Sequence, residues 1–480
     1  MLNAATQSPR WRRAEVKRML THLTQLKKLR GKSLHEFQVR SQQELVKIGG
    51  RWRSLRAAEM SDAALLRQIA PASRNGSGEG TAGLILARLQ CCASPFTHTP
   101  AEWAFLPALS HREEIIALME ARFAGQRSAI IASAERACAG RFDLLGHCDL
   151  SFGRAPKGID WHLDPLSGKR APLVYWSQLD QLNPLDGGDP KVTWELNRHA
   201  HFVTLGQAYW MTNDERFAAS FIAQASAWMD ANPPGMGINW MSSLEVAFRA
   251  ISWLWALHLC AGSPLMTSDF MARILKQLLA HGRHIESFLS HYFSPNTHLT
   301  GEALGLLYLG VALPELRRSQ VWRKKGLSIL IDQLPKQVRK DGVYFEQTSY
   351  YHRYTVDFYT HMSVLARQRE AQLPRETGER LAQALDHLMW ITRPDGSSPL
   401  VGDDDGGRLV KLAGRAPNDF RDTLATGAAL FGRADWKWMA GDAPVETIWL
   451  LGPQGLADYD NLSAKPPQID RKSTRLNSSH

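Results

Sequence analysis

Apolar residues recur at helical spacing through the second half of the chain. In the segment 242–261, Leu244, Ala247, Phe248 and Ile251 follow one another at intervals of three or four residues, which places them on one face of a helix. Breakers such as Asn232-Pro-Pro-Gly235 separate successive segments of this kind. The pattern predicts helices near 194–210, 214–231, 242–261, 267–290, 297–312, 317–338, 348–370 and 376–392, with one or two more within 417–442.

Short connections between consecutive helices are typical of antiparallel helical hairpins. A series of such hairpins forms either an open solenoid or a closed toroid, and periodicity alone does not choose between them. The fold class predicted from the pattern is therefore all-α.

The first 190 residues are less uniform. Residues 12–31 and 34–56 have helical composition with many basic positions, and 111–139 resumes a helical pattern. The stretch 71–83 is rich in Gly, Ser and Asn, which predicts a flexible loop. From Arg141 to Pro190, Gly, Pro, Asp and aromatic residues mix without a helical period, which indicates a long structured loop. We therefore expect an N-terminal helical region over 1–140 and the helical array over 141–459.

Composition narrows the class of protein. The 480 residues are 44% hydrophobic and 22% charged, as in soluble globular proteins, and no apolar run is long enough for a membrane span. An odd number of cysteines, five, favours free thiols and a reducing compartment. No secretory signal is visible. The predicted location is therefore cytoplasmic or unknown.

The net charge of +10 suits a polyanionic partner: nucleic acid, anionic lipid or acidic polysaccharide. Basic N-terminal helices are usually just solvated, and no nucleic-acid motif accompanies them, so we expect no nucleic-acid binding. The last eleven residues, 470–480, resemble a translated sequencing adapter. Without their three Lys/Arg and one Asp the net charge falls by two and stays basic. We expect the native sequence to be interrupted near Ile469, with 460–469 starting a linker.

Two short strings carry candidate chemistry: Ser294-Pro-Asn-Thr-His-Leu-Thr-Gly-Glu302 and Glu346-Gln-Thr-Ser-Tyr-Tyr-His352. Cleavage of a uronic-acid polysaccharide by β-elimination needs a group that neutralises the C6 carboxylate, a base for the C5 proton and an acid for the departing O4. Asn, His and Tyr can fill these roles without a redox cofactor. The candidates are therefore Asn296, His298 and Tyr351.

Each candidate also has a plainer interpretation. Asn296 stands where a helix begins, and Asn is a preferred N-cap. His298 and Glu302 share a helix face and could form a solvated pair. Tyr351 belongs to an aromatic helix, although it lies off the stripe that Tyr350 and Tyr354 begin.

Other clusters are weaker. The run Asp403-Asp404-Asp405 lacks the ligand spacing of an EF-hand, and a solvated or capping loop explains it better. His199-Ala-His201 is no zinc motif without further ligands. No metal site is therefore predicted in the chain. The 16 tryptophans could stack on sugar rings, although core packing accounts for most of them.

Five strings together resemble the heparinase II/III-like family of polysaccharide lyases, which includes related alginate lyases. The resemblance covers roughly 141–459. Its pieces are Lys191-Val-Thr-Trp-Glu-Leu-Asn-Arg-His199, the segment 232–249, the two strings quoted above, and Gly402-Asp-Asp-Asp-Gly-Gly-Arg408.

The resemblance implies an incomplete (α/α) toroid followed by a C-terminal β-sandwich, with the substrate cleft between them. It implies that His298 and Tyr351 act as base and acid, while Asn296 binds the uronate carboxylate. The residues implied to line the cleft are Asn197, Arg198, Asn239, Trp240, Glu245, Glu302 and His352.

Two departures from the family pattern stand out. Thr297 intervenes between Asn296 and His298, where several family members have Asn directly before His. The His-rich motif of the β-sandwich, which could hold a divalent metal, has no counterpart here. The sequence predicts no cofactor within the chain itself and, because one wall of the cleft is missing, weak or no activity.

Two functions remain open on the sequence. The first is a lyase that cleaves a uronic-acid-containing anionic polysaccharide. The second is a non-catalytic polysaccharide-binding protein associated with bacterial envelope or exopolysaccharide production.

Overall fold

The computed structural model describes most of the chain. The chain divides into two compact units, Met1–Arg56 and Ala57–His480. The predicted helix at 12–31, residues 71–80 of the predicted loop and the tail at 470–480 lie outside the described residues. The described ranges are 33–54, 60–70, 81–93, 104–153, 158–179, 188–404, 408–414 and 416–468.

The first unit contains helix α1 (Leu34–Ser54), which confirms the helix predicted at 34–56. Leu34, Leu45 and Trp52 lie exposed along one side of it.

The second unit is mostly helical, as predicted, and its hairpins form the incomplete (α/α) toroid. Its first elements are α2 (Asp62–Leu66), α3 (Thr81–Ala93), α4 (Arg112–Ala121), α5 (Ala124–Cys138), β1 (Arg141–Leu144) and β2 (His147–Ser151). The helices that follow are α6 (Pro190–Asn197), α7 (Ala200–Thr212), α8 (Glu215–Ala231), α9 (Ser243–Cys260), α10 (Ser268–Ser287), α11 (Thr297–Ala312), α12 (Ser319–Gln337), α13 (Ser349–Gln368), α14 (Arg375–Ile391), α15 (Arg421–Phe431), α16 (Ala434–Ala440) and α17 (Val445–Asn461).

Helices α7, α9, α11 and α13 pack side by side as an inner row, and α8, α10, α12 and α14 pack against them from outside. Every residue of α9 is buried, because neighbours surround it on all sides. The single apolar stripe predicted for this helix therefore understates its burial. The outer helices α8 and α10 bury one face each, as amphipathic helices do.

Glycines let two inner helices approach closely. Leu244 and Ala247 of α9 lie against Gly301 and Gly305 of α11, in the same order along both helices. A Cβ added at Gly305 would lie 2.6 Å from the Ala247 Cβ, so a larger residue would push the helices apart. The shared order also means that α9 and α11 run parallel.

Four local predictions were wrong. Residues 81–83, predicted as loop, form the first turn of α3. The segment after Arg141 is not only loop, because β1 and β2 form an antiparallel hairpin in which Phe142 faces Leu150. The helix predicted at 194–210 is two helices, α6 and α7, because His199 adopts a left-handed conformation with φ 58° and interrupts it. Helix α17, which lies beyond the predicted range 417–442, was missed.

The division expected near residue 140 stays a prediction. Ile115 of α4 and Ala134 of α5 belong to the same buried cluster as the inner helices. The apolar faces of α4 and α5 are therefore covered by the array that follows them.

Candidate active site

Three neighbouring inner helices have their N-terminal ends on the same side of the array. Helices α11 and α13 run parallel, since Gly301 packs near Phe358 and Tyr308 bonds to His361 further along both helices. Helices α9 and α11 are parallel as well. Helix N-termini carry partial positive charge, so this side favours anions.

Asn296 is the N-cap of α11. Its side-chain Oδ1 accepts a hydrogen bond from the His298 backbone N–H at 3.0 Å, so the capping interpretation is confirmed. Its amide Nδ2 donates to Glu346 Oε1 at 2.9 Å. That bond joins the segment before α11 to the segment before α13. A role for Asn296 in binding a carboxylate stays a prediction, and one N–H of its amide remains for that role.

Tyr351 lies in the first turn of α13. Thr348 caps this helix, because its Oγ1 accepts from the Tyr351 backbone N–H at 3.0 Å. Tyr350, Tyr354 and Phe358 are buried, whereas Tyr351 is only half-buried. The Tyr351 side chain therefore lies off the buried aromatic stripe, as its spacing predicted.

His298 is half-buried in the first turn of α11. The solvated pair with Glu302 is excluded, because Glu302 is only 1% exposed. Its two oxygens accept from the backbone N–H and hydroxyl of Ser290 at 2.7 and 2.6 Å. Burial raises the pKa of Glu302 to about 8. Glu302 therefore stabilises the loop before α11 through Ser290. A contact between Glu302 and the substrate stays a prediction.

His352 lies behind the site rather than on its surface. Its Nδ1 accepts from the Tyr344 backbone N–H at 3.3 Å, and Nε2 pairs with the Ala384 carbonyl at 2.9 Å. Burial lowers the pKa of His352 to about 3, so the ring is neutral. In this state both ring nitrogens are occupied by protein groups, and the substrate-binding role expected for His352 is untested.

Arg198, at the C-terminal end of α6, forms a salt bridge with Glu245 in the first turn of α9. The guanidinium donates to both oxygens of Glu245, at 2.6 and 2.9 Å, and to Glu195 at 2.7 Å. Burial lowers the pKa of Arg198, but the charges of Glu245 and Glu195 outweigh it and raise the pKa well above the ordinary value. The Tyr354 hydroxyl lies 3.5 Å from the same guanidinium. This bridge brings α6 and α9 next to α13.

Asn197, Asn239 and Trp240 lie deeper, around a guanidinium that sequence reasoning missed. Arg249 of α9 donates to the Asn197 carbonyl at 3.2 Å, to the Asn239 carbonyl at 2.7 Å and to His281 Nε2 at 2.9 Å. Its guanidinium also lies 4.5 Å from the ring centre of Trp228. Burial lowers the pKa of Arg249 to about 9.

The two asparagine side chains around Arg249 donate hydrogen bonds to the protein's own backbone. Asn197 and Asn239 both donate to the Trp161 carbonyl, at 3.0 and 3.1 Å. Trp240 stacks on His281 with ring centres 4.9 Å apart. Both asparagines and Trp240 are at most 1% exposed, so substrate contact by these three stays a prediction. We call this set the Arg249 hub: Arg249, Asn197, Asn239, Trp161, Trp228, Trp240 and His281.

Gly402, the first residue of the 402–408 string, lies beside the N-terminus of α13. Ser349 and Val401 exchange two hydrogen bonds, at 3.0 and 2.9 Å, and Gly402 packs on Thr348. Arg408 anchors the far end through Asp422 at 2.9 Å. Residues 405–407 lie outside the described part of the chain, so the capping interpretation of this acidic loop is untested.

Sequence reasoning also passed over Glu346 and Gln337. Gln337 donates to the backbone carbonyls of Pro295 and Asn296, at 3.0 and 3.1 Å. Glu346 stood five residues before Tyr351 in a string already singled out, but its partner is fifty residues away, which no local pattern reports.

Among the described residues, no three His, Cys, Asp or Glu side chains lie close enough to bind a metal ion. None of the described helices is long and apolar enough to cross a membrane.

The sequence is similar to one protein family and to individual members of known activity. The sequence model of the heparinase II/III N-terminus matches residues 119–413. Two heparin-sulfate lyases are similar: that of Pedobacter heparinus, 28% identical over 238 residues, and that of Bacteroides stercoris, 26% identical over 237 residues. These matches cover 47% and 45% of this chain but only 35% of each lyase. The chain thus spans about a third of the length of these relatives.

The crystal structure of heparinase III shares the fold. It superposes with a TM-score of 0.54 at 20% identity, covering 71% of this chain and 48% of that one. Identity at this level supports the helical architecture and nothing finer.

Proposed function

The chain belongs to the heparinase II/III family, and we propose that it takes part in cleaving a uronic-acid-containing anionic polysaccharide by β-elimination. Two relatives that match part of the chain are named heparin-sulfate lyases, which favours a polyanionic sugar as substrate. The net charge of +10 suits such a ligand.

One observation carries the proposal: the hydrogen bond of 2.9 Å between Asn296 and Glu346. It joins the segment that bears His298 to the segment that bears Tyr351. The proposal needs both in one place, because one group must take the C5 proton while the other protonates the leaving O4. Both lie in first turns of parallel helices and both are half-buried, so solvent and substrate can reach them.

In this proposal His298 is the base and Tyr351 the acid. The remaining N–H of Asn296, together with the positive ends of α11 and α13, binds the uronate carboxylate and stabilises the charge that develops on it. The Arg198–Glu245 bridge stabilises the start of the neighbouring helix α9.

A second candidate, polysaccharide binding without cleavage, is favoured by the state of Asn296. Its amide is engaged at both ends, by the His298 backbone and by Glu346. An amide that already caps a helix and bonds to Glu346 has fewer hydrogen bonds left to offer the substrate carboxylate.

The decisive experiment measures unsaturated uronate products by the ultraviolet absorbance of the new C4–C5 double bond. The full chain is incubated with heparan sulfate and with alginate at high enzyme concentration, so that single turnovers are detected. We expect His298→Ala and Tyr351→Phe each to lower the rate about 10²–10⁴-fold, while affinity for the polysaccharide stays within a few-fold.

The matched control is His147→Ala, since His147 is exposed on β2 and remote in sequence from the site. It should leave the rate unchanged. Binding without any product from the wild type would favour the second candidate. Full activity of His298→Ala or Tyr351→Phe would reject the assigned roles.

A further inference from the structure

We infer that Glu346 is a positioning residue, one that holds His298 and Tyr351 in register across two helices. This inference rests on the proposed function for its catalytic meaning. Its structural basis is the contact between Glu346 and Asn296.

The orientation of the Asn296 amide follows from its partners. A backbone N–H can only donate, so the atom facing His298 N must be the amide oxygen. The amide nitrogen therefore faces the opposite direction, where Glu346 Oε1 accepts from it. The two bonds confirm one orientation of this side chain.

The backbone of Asn296 is held just as firmly. Its carbonyl accepts from Gln337 Nε2 at 3.1 Å and from Thr300 Oγ1 at 3.2 Å. The start of α11 is thus fixed to α12 by its backbone and to the segment before α13 by its side chain. Glu346 supplies the second of these links.

The Glu346 carboxylate has one hydrogen-bonded oxygen and one buried oxygen next to Tyr344. Its other oxygen, Oε2, is buried and has no hydrogen-bond partner among the described residues. Burial, and then the charge of Glu346, raises the pKa of the neighbouring Tyr344. The donation from Asn296 to Oε1 is therefore the main polar contact that holds this carboxylate in place.

The link spans a short path between the two proposed catalytic groups. His298 stands two residues after Asn296 and donates its backbone N–H to that side chain. Tyr351 stands five residues after Glu346, with its backbone N–H capped by Thr348. A displacement of about 1 Å between reacting groups lowers rates about 10²-fold, so loosening this link should affect turnover more than binding.

The test compares Glu346→Ala with Glu346→Gln. Glutamine keeps a carbonyl oxygen that accepts from Asn296, whereas alanine removes the acceptor. We expect Glu346→Ala to lower kcat about 10–100-fold with KM within about threefold, and Glu346→Gln to keep kcat within about threefold of the wild type. Glu379→Ala, which removes an exposed ion pair with Arg375 on α14, serves as the control and should change neither constant.

A second variant checks the route of the effect. Asn296→Ser keeps an N-cap but cannot reach Glu346. Adding Glu346→Ala to it should then cause no further loss of kcat, because the link is already absent. Hydrogen exchange of the 296–300 amides reports positioning directly and should be faster in Glu346→Ala and unchanged in Glu346→Gln.

The outcomes distinguish failure of the proposed function from failure of the inference about Glu346. No product from the wild type would overturn the proposed function, and this inference with it. Product formed at the wild-type rate by Glu346→Ala would overturn the inference alone. Equal losses in the Gln and Ala variants would also overturn it, because the charge rather than the link would then matter.

Discussion

The Arg249 hub and the N-terminal edge of α11 and α13 use polar side chains in opposite ways. In the hub, Asn197 and Asn239 are almost fully buried, and their amides donate to the protein's own carbonyls. At the edge, His298 and Tyr351 are half-buried in the first turns of their helices. The hub is closed to solvent, whereas the edge is partly open to it.

The comparison separates polar residues that stabilise the fold of this toroid from polar residues that are available for chemistry. Buried polar groups must be satisfied, so a hub of this kind defines one arrangement of the chain. Arg249 holds the carbonyls of two separate segments, which fixes where Arg198 and Trp240 stand. We expect substitutions in the hub to change stability first, and substitutions at the edge to change function with little loss of stability.

The largest effect is expected for Arg249→Met. Loss of the guanidinium leaves the carbonyls of Asn197 and Asn239 and the His281 nitrogen without their donor, deep in the core. At about 1–3 kcal/mol for each unsatisfied group, we expect the free energy of unfolding to fall by about 3–5 kcal/mol. Urea unfolding followed by circular dichroism measures it.

Arg433→Met provides the matched control. Arg433 also lies over a tryptophan, with its guanidinium 4.2 Å from the Trp436 ring centre, but it is a third exposed and pairs with Asp386 and Asp435 near the surface. Its loss should cost about 1 kcal/mol or less. Comparable losses in the two variants would contradict the special role of the hub.

Acid should weaken the buried region before it affects the edge. Burial lowers the pKa of His284, beside the hub, to about 3. A histidine whose folded pKa lies below its unfolded value of about 6.5 contributes stability that is lost as pH falls from 6.5 toward 3. Between pH 7.5 and 5.5 each such histidine should cost about 1.4 kcal/mol. The others with a pKa lowered to about 3 are His201, His258, His352 and His361.

Glu302 opposes this trend, because its raised pKa makes the folded state bind a proton more tightly as pH falls below 8. A single-residue comparison removes that complication. His284→Leu should reduce the stability difference between pH 7.5 and 5.5 by about 1.4 kcal/mol, measured by urea unfolding at constant ionic strength. The exposed His147→Gln should leave the difference unchanged, and an equal reduction in both variants would contradict the assignment.

The inner helices were predictable because their starts carry local signals. Ser242, Asn296 and Thr348 each cap a helix through a side-chain oxygen, and each stands where the helical pattern begins. The break at His199 had no such signal, since a left-handed histidine looks like any other residue in sequence.

The sequence indicated which segments carry the candidate residues, but it did not indicate the contacts between those segments. Asn296, His298 and Tyr351 were proposed from residue type and order, and the Asn296–Glu346 hydrogen bond joins the two segments that carry them. The bond from Asn296 to Glu346 and the hub around Arg249 depend on residues that tertiary packing brings together from distant parts of the chain. The family resemblance implied that Asn197 and Asn239 line the cleft. Both are buried and donate to the Trp161 carbonyl, and substrate contact by them stays a prediction.

The smallest expected effect concerns an aromatic residue next to the edge. Phe293 is 77% exposed, on a loop held at both ends: Ser290 bonds to Glu302, and the Pro295 carbonyl accepts from Gln337. Phe293 stands three residues before Asn296, and its exposed ring is therefore suited to stacking on a sugar ring. We expect Phe293→Ala to weaken polysaccharide affinity by about 0.5–1.5 kcal/mol, roughly two- to tenfold, without changing the free energy of unfolding.

Trp438 on α16 offers the comparison, because it is also exposed, at 49%, but lies outside the segments that form the edge. Titration of both alanine variants with heparan sulfate oligosaccharides, followed by intrinsic fluorescence or calorimetry, measures the two affinities. Loss in Phe293→Ala alone places ligand contact at the edge of α11. Equal losses would mean that exposed aromatic residues bind the polysaccharide wherever they lie, and that the edge is no more a binding surface than α16.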